Sequence, residues 1–84
     1  MPGFEVKIIT PEETFFEGKA NSLIVPGLEG YLGILENHAP LVTPLAKGTL
    51  SFRPVEGGEK KFKITDGFLE VSRNRVLILA EKIS

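Results

Sequence analysis

The sequence has no cysteine and no tryptophan, and only one methionine, one tyrosine and one histidine in 84 residues. Without cysteine there is no disulfide framework and no thiolate metal site, and a lone histidine cannot build a zinc centre without other ligands. A reducing compartment is compatible with this composition. No apolar run approaches the ~20 residues needed to cross a bilayer as a helix. Met1-Pro2-Gly3-Phe4-Glu5 lacks the basic and apolar regions of a secretory leader, so the chain is expected to be soluble by itself. An excess of one charge is also missing. Ten basic and eleven acidic residues leave a net charge of −1, which argues against general nucleic-acid affinity, because that depends on neutralising several phosphates together. The only basic cluster, Lys60, Lys61 and Lys63, is weakened by Glu59 beside it.

Helical periodicity is absent as well: no segment repeats apolar residues at helical spacing next to a cap. What is present is alternation. Phe4-Glu5-Val6-Lys7-Ile8 alternates apolar and polar and is ended by Thr10-Pro11, the pattern of a strand with one buried face. Phe15-Phe16 between charges and Gly18 reads as a short edge strand, and Asn21 to Val25 as a separate strand closed by a turn at Pro26-Gly27. Leu41-Val42-Thr43-Pro44-Leu45 is extended, since residues before proline avoid the helical region. Gly48 to Arg53 and Lys61 to Ile64 form a hairpin about Glu56-Gly57-Gly58-Glu59. Asp66-Gly67 and Arg73-Asn74 turn the chain into Phe68 to Val71 and Val76 to Ala80, the last being apolar on both faces. Turn signals every ~8–12 residues predict an all-β domain, a sandwich or small barrel. The expectation is a single domain, 1–84, that buries roughly 60–65% of its unfolded surface. The predicted core is Val6, Ile8, Leu23, Val25, Leu50, Phe52, Phe62, Ile64, Leu69, Val71, Leu77 and Leu79.

The only tyrosine and histidine fall in Gly30-Tyr31-Leu32-Gly33-Ile34-Leu35-Glu36-Asn37-His38-Ala39-Pro40. Glycines and a proline suit turns, so Glu29 to Pro40 reads as one projecting turn with Tyr31 and His38 at its tip, anchored by Leu32, Ile34 and Leu35. The glycine spacing matches neither a dinucleotide fingerprint nor a P-loop. Gly27-Leu28-Glu29-Gly30 fits the bare GxxG of a KH domain, but lacks flanking helices and puts Glu29 where a phosphate would approach. His38 has no serine or cysteine nucleophile in a recognisable context, and a hydrolase centred on it is the third reading after the two given below. Glu12 and Glu13 read as a solvated turn rather than an acid/base pair.

Several segments, taken in order, resemble the epsilon subunit of the F-type ATP synthase: Ile9-Thr10-Pro11-Glu12, Phe16-Glu17-Gly18, Glu29 to Leu35, Asn37-His38-Ala39-Pro40-Leu41, Lys47-Gly48, Gly67 to Val71 and Val76 to Ala80. The resemblance runs nearly end to end. It implies an all-β fold, a β-sandwich of about ten short strands in two sheets. It also implies a non-catalytic part of the rotor, without cofactor or metal, that docks on the gamma subunit and the c ring, has no nucleic-acid partner, and meets the membrane only through the complex, on its cytoplasmic, matrix or stromal face. Carried over by position, Glu29, Tyr31, Glu36 and His38 would face the ring, and Thr10, Leu41, Val42 and Thr43 the gamma subunit. Position 31, often Glu in the family, is Tyr31 here, which exchanges a charge contact for a hydroxyl and an aromatic one. Longer members continue into a helical hairpin that can inhibit hydrolysis; this sequence stops at Ser84, so no insertion of such a helix is expected from it. The alternative reading is a ligand- or oligonucleotide-binding β-barrel, which would need its phenylalanines outside, with the Lys60 to Lys63 cluster assisting.

Overall fold

Met1 and Pro2, the start of the segment read for a leader, lie outside the described residues; the computed structural model describes residues 3–84. These contain no helix and eight strands: β1 (Phe4–Ile9), β2 (Thr14–Gly27), β3 (Gly30–Leu35), β4 (Leu41–Leu45), β5 (Gly48–Pro54), β6 (Lys60–Ile64), β7 (Gly67–Ser72) and β8 (Arg75–Ala80). The all-β expectation is met, with eight strands rather than about ten.

The difference lies mainly in β2. The segments read as separate strands at Phe15-Phe16 and Asn21 to Val25 are the two ends of one 14-residue strand, which runs through Pro26-Gly27 and turns only at Leu28-Glu29. Glu17 and Lys19 do not break it, because they point to solvent opposite Lys7 and Glu5 of β1. Gly18 points inward, where a Cβ would come within 3.1 Å of the Phe16 ring. The alternation then changes phase. Ala20 is buried at an even position and Leu23 and Val25 at odd ones, and the pairing with β5 shifts register between Ala20 and Ser22. An irregularity of this kind bends a strand. Here it carries β2 from one layer into the other.

The first layer is the N-terminal half of β2 followed by β1, β8, β7 and β4; the second is β3, the C-terminal half of β2, β5 and β6. Every pairing is antiparallel except β1 with β8. The hydrogen-bonded ladder is continuous, because β2 belongs to both layers and its far end also pairs with β4, Gly27 opposite Leu45.

Between the layers lie Phe4, Val6 and Ile8 of β1, Ala20, Leu23 and Val25 of β2, Ile34, Leu45, Leu50, Phe52, Ile64, Leu69 and Val71, and Val76, Ile78 and Ala80 of β8. No charged or polar side chain is buried among the described residues. Nine of the expected core positions are buried, and three are not. Phe62 is half-buried at the rim of an aromatic cluster, 5.9 Å from Phe15 and 6.0 Å from Phe52 between ring centres. Leu77 is half-buried and Leu79 is 39% exposed, since β8 has the opposite phase. The cause is the two-residue turn at Arg73-Asn74, both at positive φ, as tight hairpins require. It sets Ser72 opposite Arg75 and Val71 opposite Val76. Val71 faces the core, so Val76, Ile78 and Ala80 must as well.

Candidate docking surface

The stretch read as one projecting turn is strand β3 with a turn at each end. Its register on β2 runs unbroken from Gly27 opposite Gly30 to Ser22 opposite Leu35. The two glycines misled the sequence reading for different reasons. Gly30 adopts φ +128, which side-chain-bearing residues rarely do, and closes the hairpin. Gly33 lies mid-strand in the open, with nothing within 4 Å of where a Cβ would be. Of the expected anchors, Ile34 is buried and Leu32 half-buried, but Leu35 is exposed.

The candidate ring residues therefore separate into two groups. Glu29 and Tyr31 stand at one end of β3, Glu36 and His38 at the other, and a strand of this length spans ~17–20 Å. Tyr31 is 59% exposed. Its cross-strand partner is Pro26, and the Thr49 amide donates to its hydroxyl at 3.4 Å. A Cβ on Gly48 would sit 2.8 Å from Pro26 and 3.0 Å from that hydroxyl. Pro26 is thus buried on an outward-facing position, with Gly48 packed closely against it.

At the other end, the His38 amide donates to the Leu35 carbonyl at 3.2 Å, with Asn37 at φ 66 in the third position of the turn, where Gly or Asn is favoured. His38 Nδ1 is 2.7 Å from the Ala39 carbonyl oxygen. A carbonyl only accepts, so Nδ1 carries the hydrogen and donates it. The turn is held from the β7–β8 hairpin: Asn74 Oδ1 accepts from the Asn37 amide at 3.2 Å, and the Asn74 carbonyl accepts from the Glu5 amide at 2.8 Å. Asn74 sits at φ 60. Asn74→Ala should therefore cost about 1–2 kcal/mol, through strain and a lost acceptor, and Asn74→Gly about half of that. The check is urea denaturation of both variants together with amide exchange at Asn37. Equal losses would show that backbone strain is not a factor.

Among the candidate gamma residues, Val42 is 71% exposed, while Leu41 and Thr43 are half-buried, Leu41 packing on the core. Thr43 borders the same shallow cleft as Glu29 and Tyr31. Thr10 serves its own turn: its hydroxyl accepts from the amides of Glu12 and Glu13 at 3.3 and 3.2 Å.

The sequence reading missed the outer face of the first layer. Pro44, Phe68, Leu79 and Ile9 are cross-strand neighbours in one row over β4, β7, β8 and β1. Phe68 is 56% exposed. Leu28 and Pro11 border the same hollow as Pro44, Phe68 and Leu79. The next row is Val42, Glu70, Leu77, Lys7 and Glu17; farther along come Ser72, Arg75, Glu5 and Lys19. This face thus passes from apolar at one end to charged at the other. The one ion pair described, Arg75 to Glu5 at 3.7 Å, is exposed at both partners and adds little to stability. The signal for Phe68 was in the sequence, since Leu69 and Val71 facing inward puts Phe68 outward.

The described residues present an exposed apolar row, polar side chains on turns, and no grouping of three metal-ligating side chains. The exposed apolar row suits contact with a partner. The family model described as the ATP synthase, Delta/Epsilon chain, beta-sandwich domain matches residues 3–84. The chain belongs to this family. It is 43% identical over 81 residues to the ATP synthase epsilon chain of Moorella thermoacetica, covering 96% of this chain and 60% of that protein. Against the epsilon chain of Chlorobaculum tepidum it is 41% identical over 81 residues, again 96% of this chain but 92% of the relative. The family thus includes chains little longer than this domain and chains of which it spans about three fifths. In fold, the chain superposes with a TM-score of 0.90 at 22% identity on a chain of the Euglena gracilis mitochondrial ATP synthase, covering 100% of this chain and 54% of that one. A chain of the Tetrahymena thermophila mitochondrial ATP synthase central stalk and c ring gives 0.80 at 22%, covering 99% and 66%. These likenesses establish the sandwich.

Proposed function

We propose that this chain is a non-catalytic rotor subunit of a proton-translocating F-type ATP synthase. It docks on the gamma subunit and the c ring, and helps couple proton flow to ATP synthesis. It lies at the periphery of the energy-transducing membrane, on the cytoplasmic, matrix or stromal side, and reaches the membrane only through the complex. The observation that carries this reading is the family match across residues 3–84, and the exposed apolar row supports it. In this reading Glu29, Tyr31, Glu36 and His38 contact the polar loops of the ring from the two ends of β3. Thr10, Leu41, Val42 and Thr43 lie toward gamma, with the outward Val42 making contact beside Pro44 and Phe68.

The nucleic-acid reading lacks its platform: Phe4 and Phe52 are buried and Phe15, Phe16 and Phe62 half-buried against the core, leaving Phe68 as the exposed phenylalanine. In an assembled complex, cysteines at positions 31 and 38 should crosslink to the ring loops, and a cysteine at Lys61 should not. Crosslinking from position 61 alone would overturn the ring assignment. Tyr31→Ala with His38→Ala should weaken the ring contact while the isolated domain stays folded, at a cost of about 1–2 kcal/mol, because Tyr31 accepts from the Thr49 amide and His38 is half-buried.

A further inference from the structure

We propose that the outer edge of β3 is a pairing edge for an extended segment of a partner protein, apolar in its middle and basic at both ends. This shares Glu29, Tyr31 and Glu36 with the ring contact proposed above but assigns them a different partner chemistry, and its test uses the chain alone, so its failure is distinct from failure of the rotor reading.

Exposed sheet edges pair with other strands unless something blocks them, and the usual blocks are lysines, prolines, bulges or a covering segment. The other edges here carry such blocks. β6 has Lys60, Lys61 and Lys63, and its outer side is taken by the chain end: the Ser84 and Lys63 amides each donate to the other's carbonyl at 2.9 Å, and Ile83 bridges to Ile64. β4 contains Pro44, which has no amide to offer, and its end is already paired with β2, Leu45 opposite Gly27. The N-terminal half of β2 carries Glu17 and Lys19. β3, Gly30–Leu35, has no charge, no proline and no bulge in its register, and among the described residues it pairs with β2 alone. About half of its amides and carbonyls point away from β2.

The side chains favour an apolar centre. Tyr31 and Leu35 are exposed on either side of bare Gly33, and the half-exposed Ile24 of β2 lies opposite that glycine. An alternating strand laid along this edge would place its own apolar groups against these three. The charges select the ends. Glu29 and Glu36 are exposed just beyond the two termini of β3. A second copy pairing antiparallel would set Glu29 of each chain beside Glu36 of the other, and a parallel copy would also match like charges, which is unfavourable across strands. A segment with Arg or Lys at both ends makes two opposite pairs instead. Arg73 lines the hollow beside Asn37 and His38 and weakens the acidic flank there, so Glu29 carries the larger share. Edge pairing of this kind draws affinity from main-chain hydrogen bonds and selectivity from alternate side chains.

The test uses the 84-residue chain and two blocked synthetic peptides, Arg-Val-Thr-Val-Ser-Val-Thr-Arg and the same sequence with Glu at both ends, titrated at low salt while backbone amide shifts and exchange are followed. Laid antiparallel, the first sets its valines opposite Leu35, Gly33 and Tyr31 and its ends opposite Glu36 and Glu29. The arginine-ended peptide should shift and protect amides of β3, and bind about fivefold or more tightly than the glutamate-ended one. Glu29→Lys with Glu36→Lys should reverse that preference. Gly33→Lys, which enters open space, should leave the fold intact and weaken the arginine-ended peptide about tenfold. Binding that leaves the β3 amides untouched, no binding at all, a preference insensitive to the charge reversal, or dimerisation of the chain through β3 would each overturn the proposal.

Discussion

Ile78→Ala should lower the free energy of unfolding by about 2–5 kcal/mol, and Leu77→Ala, one position earlier on β8, by about 1 kcal/mol. Ile78 is fully buried, with Leu69 on one side and Ile8 on the other, so its truncation leaves a cavity between the layers. Leu77 stands on the outer face between Glu70 and Lys7, half open to water. A domain of this size has roughly 5–10 kcal/mol in total, so the alanine at position 78 should leave it partly unfolded near body temperature. Urea denaturation of the two variants decides the matter. A larger loss at position 77 would mean that the phase of β8 is reversed.

Phe68→Glu with Leu79→Ser should reduce binding to the gamma subunit by about thirtyfold or more, while the urea midpoint of the isolated domain stays near that of the parent. The two residues are cross-strand partners at the centre of the apolar row. Buried aromatic anchors at interfaces commonly contribute ~2 kcal/mol or more each, and a carboxylate in their place would be desolvated without a partner. Exposed positions on a solvated sheet face contribute little to folding. Calorimetric titration of purified gamma against both proteins gives the affinities, and the control is Lys61→Glu on the second layer. Unchanged affinity in the double variant would remove this face from the gamma contact.

How much of this could be read from the sequence varies element by element, for physical reasons. Strand β1 was legible because its alternation is strict, and the β5–β6 hairpin because Gly57-Gly58 marks its turn. The inward set of β7 followed from Leu69 and Val71. β8 was not legible by alternation, since Val76 to Ala80 are all apolar. The missing information lay two residues upstream, in a turn whose length fixes which partners share a face. β2 was read as two strands because its pattern changes phase at Asn21-Ser22, and a phase change in sequence looks the same as a loop. For the docking surface, the composition of Glu29 to Pro40 pointed to exposure, and Tyr31 is indeed exposed. It could not show that Gly33 is a strand residue with open space above it. Nor did the motif-based reading weigh Phe68, whose exposure comes from parity alone.

The continuity of β2 has a mechanical consequence. In a sandwich whose layers are held only by side-chain packing, a sideways force can slide one layer over the other against apolar contacts that have little directional stiffness. Here the two layers share a backbone. Thr14 to Ala20 lie in the ladder with β1, and Ser22 to Gly27 in the ladders with β3 and β5. Sliding the layers would have to stretch covalent bonds at Asn21-Ser22 or strip one half of β2 from its neighbours several hydrogen bonds at a time. A push delivered at Tyr31 therefore reaches the Phe68 face as rotation of a single stiff body, with little lost to shear inside it.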